Sequence, residues 1–160
     1  SAVLIHIDDD PGDLRFTGSR WSKMGGVHAQ QIRVYNDQDA SREDVARTVL
    51  SAIQAAIREG HHILICSDYS IGGAYGTSDC LWKVVWDRLS DHERTRVTDF
   101  AIRCTTEGIE LLRRAMEELP NFKARVHLLP KESVDVIALG RFFSSFVAQF
   151  DDILALHDAS

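Results

Sequence analysis

Along this chain short apolar runs alternate with longer stretches in which apolar residues recur at helical spacing. Residues 2 to 7, AVLIHI, form a run closed at once by Asp8, Asp9 and Asp10, the pattern of a strand buried on both faces. A weak helix is expected near 11 to 24, closed by Gly25 and Gly26, and QIRVYN, 31 to 36, reads as a second strand. Ser41 with Asp44 three positions on resembles a capping box with Asp in place of Glu. Behind it Val45, Val49, Ala52, Ile53, Ala56 and Ile57 recur at the period of a helix that runs up to Gly60. HHILICSD, 61 to 68, is a third strand, and the Gly-rich loop SIGGAYG leads into a helix from about 77 to 89. VTDFAIRCT, 97 to 105, is a fourth strand. After it Ile109, Leu112, Ala115, Met116 and Leu119 share one helical face that stops at Pro120. ARVHLLP, 124 to 130, is the fifth strand, and a last helix begins near Ser133.

Parallel neighbours need crossover connections, and strands that alternate with helices supply them. The expected fold class is therefore α/β, a doubly wound five-stranded parallel sheet with helices on both faces, flavodoxin-like in architecture. At 160 residues the chain is sized for a single domain over 1 to 160, with an extended C-terminal helix from about 133. In that helix Leu139, Phe143, Phe146, Phe150 and Ile153 alternate steps of four and three, a heptad-like stripe. Such a stripe serves either packing on the sheet or pairing with a second copy. A homodimer through this helix is the expectation.

Composition narrows the class. Charged residues make up 26% and apolar ones 44%, a globular balance, and no apolar run is long enough to span a bilayer. The apolar N-terminus lacks a basic leader and a cleavage site, so it reads as a strand. A net charge of -6 argues against direct nucleic-acid binding, which needs clustered Lys and Arg. The scattered Cys66, Cys80 and Cys104 form neither a disulfide framework nor a zinc pattern, and are expected to be reduced thiols of a cytoplasmic protein. The seven histidines show no ligand spacing, and Trp82 and Trp86, four apart on one helix face, are expected in the core.

In doubly wound sheets ligands bind beyond the carboxyl ends of the strands, so strand ends hold the candidate chemistry. Strand one ends in Asp8, Asp9 and Asp10, strand three in Asp68, strand four in Thr105, and Lys131 follows strand five. Alone, the three acids would read as a turn capping the next helix, and Lys131 as a surface lysine. Brought to one rim, the carboxylates repel unless a hard cation or a lysine neutralises them. An oxygen-only cluster suits Mg2+, which shares phosphate oxygens, and so points to phosphoryl transfer. In that chemistry Asp68 is the nucleophile that becomes an acyl phosphate, Lys131 neutralises the transferred oxygens, and Thr105 donates its hydroxyl to one of them.

At these residues the chain resembles the response-regulator receiver domains of two-component signalling. LIHIDDDP is similar to their acidic opening, DYSIGGAYG to the phosphoacceptor loop, FAIRCTT to the strand with the phosphate-sensing Thr, and HLLPK to the strand that ends in Lys. The resemblance implies Asp68 as phosphorylation site and a Mg2+ site from Asp8, Asp9, Asp68 and the backbone carbonyl of Ser70, with Asp9 the more direct ligand of the acid pair. It implies Thr105 as switch hydroxyl, Lys131 as the phosphate-pairing cation, and a histidine kinase or phosphotransfer protein as partner.

The departures are specific. Gly72 stands where the family has Pro, Leu128 where it has an aromatic, and Glu132 where it has a Pro after the lysine, whereas Gly76 fits. The spacings from Asp9 to Asp68 and on to Thr105 are long for the family, which predicts extended loops or helices. Two rivals follow. One is a receiver-like interaction module that works without phosphorylation, suggested by Gly72 and Leu128. The other is a haloacid-dehalogenase-like phosphatase using Asp8 and Asp10, which also needs late acidic ligands. The late pair Asp151 and Asp152 falls in a helical pattern instead.

Overall fold

The structure, a computed structural model, describes residues 2–22, 27–34, 40–131, 141–142, 145–146 and 148. Five parallel strands form the main sheet: β1 (Ala2–Asp8), β2 (Val27–Arg33), β3 (His62–Ser67), β6 (Val97–Ile102) and β7 (Arg125–Leu128). A small antiparallel hairpin, β4 (Ser70–Gly72) and β5 (Gly76–Thr77), follows β3. The helices are α1 (Pro11–Ser22), α2 (Arg42–Arg58), α3 (Ser78–Arg88), α4 (Asp91–Thr95) and α5 (Thr106–Glu117).

The sheet order is β2-β1-β3-β6-β7, so the chain winds to one side of β1 and then returns to build outward from its other side. The reversal lies between β1 and β3. This is the doubly wound α/β architecture that the alternating pattern predicts. β1 and β3 are buried almost throughout, which explains their unbroken apolar runs.

Side chains alternate across the sheet and feed two cores. Val3, Ile5, Ile7, Ile63 and Ile65 point toward α2, α3 and α5, meeting Val49, Ile53, Trp82, Trp86, Leu112 and Met116. Ala2, Leu4, Leu64, Cys66 and Ala101 face the other way, against Phe16 of α1 and against Phe142 and Phe146. Both Trp82 and Trp86 are fully buried, as their spacing predicts.

Two short elements account for the long spacing from Asp68 to Thr105. The β4–β5 hairpin and α4 lie between Asp68 and Thr105, in segments too short to carry a period. The hairpin turns through Gly72 and Gly73 with φ of 63° and 62°. Proline is locked near φ of about -65°, so the family's Pro does not fit this turn. Ser41 caps α2 by accepting from the Asp44 amide, whereas a full reciprocal capping box opens α4 at Ser90 and Glu93. The second strand begins and ends earlier than the 31 to 36 expected from its apolar residues, and 35–36 lie outside the described residues. Glu132 and nearly all of the expected C-terminal helix also lie outside them; of its stripe only Phe146 is described, and it is buried.

Candidate phosphoacceptor site

The ladder aligns the strand ends. Ile7 pairs with Ser67, and the Asp68 amide donates to the Ile7 carbonyl at 3.0 Å, so Asp8 and Asp68 leave β1 and β3 at the same level. One step outward, the amide of Arg103 donates to the Ser67 carbonyl at 3.0 Å. Beyond β7 the Lys131 amide donates to the Cys104 carbonyl, again at 3.0 Å, which brings Lys131 back across the rim. Parallel pairing thus gathers residues far apart in sequence.

Oxygens of Asp8, Asp9 and Asp68 lie within 4.8 Å of one another. Asp8 is fully buried, Asp68 is buried and Asp9 half-buried. Asp8 Oδ1 accepts from the Asp10 amide at 2.9 Å, while its buried Oδ2 has no hydrogen-bond partner. Asp68 Oδ1 accepts from the Tyr69 amide at 2.8 Å, and its Oδ2 accepts from Lys131 Nζ at 3.0 Å. Lys131 also reaches Asp13 at 3.0 Å and Asp8 Oδ2 at 3.6 Å. An oxygen-only trio with an orphaned buried oxygen fits a hard divalent cation such as Mg2+.

Electrostatics reflect this crowding. Burial, reinforced by the nearby Asp68 carboxylate, pushes the Asp8 carboxyl up to about 7, against the opposing Asp10 amide and Lys131 charge. Burial also raises Asp68, although Lys131 and the Tyr69 amide work the other way. Burial would raise Asp13 too, but Lys131 and Arg103 outweigh it and hold that carboxyl below its ordinary value. Lys131 is kept charged: burial opposes this, and the bonds to Asp13 and Asp68 prevail. Beneath the trio His6 is fully buried, and desolvation with the Arg103 charge lowers it to about 3, so the ring is neutral.

The structure thus brings Asp8, Asp9, Asp68 and Lys131 together. Asp10 has a separate duty: its Oδ1 accepts from the Gly12 amide at 2.7 Å, capping α1. Ser70 opens β4, and the flanking ladder bond from the Ser78 amide goes to the Tyr69 carbonyl, one residue earlier. Thr105 is the exposed N-cap of α5 and makes no side-chain cap bond. That helix start approaches the loop after β3 closely, for a Cβ at Gly108 would lie 3.0 Å from Tyr69 Cβ. Two site residues escape a reading of strand ends, Asp13 and Arg103. Asp13 stands four residues after Asp9, one helical turn along, and Arg103 directly follows β6.

Sheet order and rim geometry together define a doubly wound α/β domain with carboxylates and a lysine gathered at the carboxyl ends of its strands. Among solved structures the chain is similar to the Salmonella typhimurium RcsB response regulator, described for its conformational dynamism in DNA interaction, with a TM-score of 0.53 and 11% identity. The match covers 95% of this chain and 60% of that one, and at this identity it speaks for the fold alone. No family model matches the sequence, and no curated protein matches it. Among the described residues, no helix is long and apolar enough to cross a membrane.

Proposed function

We propose that this chain is a phosphoacceptor receiver domain of two-component signal transduction, switched by a phosphoryl group on Asp68. The observation that carries this reading is the convergence of Asp8, Asp9 and Asp68 within 4.8 Å, with Lys131 seated on Asp68 Oδ2. Asp8, Asp9 and Asp68, with the Ser70 carbonyl, would hold Mg2+, which when bound would neutralise the phosphoryl oxygens. An Asp68 oxygen attacks the phosphorus of a phosphohistidine on a histidine kinase or phosphotransfer protein. The O–P bond forms as the N–P bond breaks, and the imidazole leaves with its electron pair and takes up a proton.

Lys131 then pairs with the new phosphoryl oxygens, and Thr105, whose hydroxyl is unused in capping, is a candidate donor. A phosphoryl group brings roughly -1.5 to -2 charges and three acceptors, enough to reorder neighbouring contacts. Self-phosphorylation and slow self-dephosphorylation are the only reactions in this reading. The phosphatase alternative is weakened because Asp10, its required second acid, is engaged in capping α1. The phosphorylation-independent module draws support from Lys131, already satisfied between Asp13 and Asp68, and from the 43% exposure of Leu128.

Incubation with acetyl phosphate and Mg2+, followed by intact mass, separates these readings. A phosphoryl adduct that is absent without Mg2+ and absent in Asp68→Asn supports the receiver. No adduct on the wild-type chain under any divalent ion supports the module. Pairing of two copies through the expected C-terminal helix belongs to the same proposal, and sedimentation at high concentration tests it.

A further inference from the structure

The strand that ends beside Asp68 is followed at once by a cation. Ile102 is level with Ser67 in the ladder, and Arg103, whose amide donates to the Ser67 carbonyl, is therefore level with Asp68. Leu4, Leu64, Cys66 and Ala101 all belong to the second core cluster, and Asp8, Asp68 and Arg103 extend the same alternating series by even steps. All three side chains thus leave the sheet toward one face. Arg103 is 9% exposed, and its Nε and Nη1 have no hydrogen-bond partner. Nη1 lies 3.3 Å from Asp13 Oδ1, near enough for an ion pair but not aligned as a hydrogen bond. The other oxygen of Asp13 holds Lys131 at 3.0 Å, and the same ammonium touches Asp68 at 3.0 Å.

A buried guanidinium with unused donors is costly unless an acceptor arrives. Its planar fork matches the oxygens of a phosphoryl group, more closely than a lysine does. Thr105, two residues on, is by contrast exposed at the entry to α5.

We propose that Arg103 is the second cationic ligand of a phosphoryl group on Asp68, with Asp13 holding Arg103 and Lys131 until that group arrives. The proposal rests on the receiver reading of Asp68. In the unmodified state Asp13 shares both cations. The phosphoryl oxygens compete for them with more charge and more acceptors, so Asp13 gives way. Asp13 is then a positioning residue that sets how readily the site accepts the group.

The test titrates beryllofluoride, a phosphoryl mimic, against the full chain with Mg2+ and reads bound fluoride by fluorine NMR. Arg103→Gln is expected to weaken binding by about tenfold or more, the scale of a charge-assisted bond, and Arg103→Lys to recover part of the loss. Asp13→Asn frees both cations and is expected to tighten binding several-fold, a gain that disappears when Arg103→Gln is added. Circular dichroism checks folding; if Arg103→Gln does not fold, Arg103→Lys and Asp13→Asn decide, and unchanged binding in both overturns the proposal. Wild-type affinity in Arg103→Gln, with binding lost in Asp68→Asn, overturns the role of Arg103 and leaves the receiver reading standing. A wild-type chain that binds no beryllofluoride overturns both.

Discussion

Lys131 Nζ lies 3.0 Å from Asp68 Oδ2, a contact between residues 63 positions apart that ties the segment after β7 to the end of β3. The pair spans the rim between strands that are not neighbours, with β6 between them. Lys131→Met removes the cation that Asp68 and Asp13 share, leaving Asp68 without its counterion and Asp13 with Arg103. The metal-free protein is expected to lose roughly 1–2 kcal/mol, read from urea unfolding, because the site is partly solvated. Acetyl phosphate labelling of Asp68 is expected to slow at least about tenfold, the cost of one transition-state charge contact.

Asp8 makes the opposite prediction for stability. Its carboxyl is raised from 3.8 to about 7 by burial, so the folded state holds the proton more tightly than the unfolded chain does. Stability of the metal-free protein is therefore fully present below the unfolded value and falls as pH rises from 3.8 to about 7. Asp8→Asn removes that loss and is expected to stabilise the metal-free protein above neutral pH by on the order of 2 kcal/mol. The same variant should no longer gain stability from added Mg2+. Thermal melts with and without Mg2+ check both.

A second acidic centre behaves differently. Asp99 is buried on β6 and accepts from Arg125 Nη2 at 3.0 Å, with the His127 ring at 2.7 Å. Burial would raise Asp99, but His127, Thr98 and Arg125 together hold it below its ordinary 3.8. A depressed carboxyl stabilises the fold above the unfolded value, and that contribution is lost as pH falls through the folded one. Asp99→Asn should cost roughly 1–3 kcal/mol at neutral pH and flatten the acid side of the stability profile. Urea midpoints at a series of acidic pH values provide the comparison.

The loop that carries Asp68 also has a rigid support. Trp82 Nε1 donates to Ser67 Oγ at 3.1 Å, and that hydroxyl donates to the Asp68 carbonyl at 3.0 Å. Trp82 meets Phe100 edge to face, with ring centroids 5.5 Å apart. Trp82→Phe keeps an aromatic ring in the core but removes the hydrogen bond, for an expected loss of roughly 1–2 kcal/mol in chemical unfolding.

Much of this was legible in the sequence because burial on both faces leaves unbroken apolar runs. β1 and β3 announce themselves in AVLIHI and HHILICSD, and their acidic ends locate Asp8, Asp9 and Asp68. β2 is an edge strand, where exposed Gln30, Gln31 and Arg33 dilute the pattern and blur its bounds. The β4–β5 hairpin and α4 are too short for periodicity, and only their glycines and the Ser90–Glu93 cap hint at them. Asp13 and Arg103 were hidden for another reason. A helical acid and a charge just beyond a strand acquire meaning only once register brings them to the same rim.

Chemical mapping of the modified residue tests the central claim most directly. After acetyl phosphate and Mg2+ treatment, borohydride reduces an aspartyl phosphate to homoserine, and peptide mass spectrometry then reads the residue at each position. Homoserine at position 68, dependent on Mg2+, is the expected result. Homoserine at Asp8 or Asp9 instead, or at no position, would contradict the assignment of Asp68 as the acceptor.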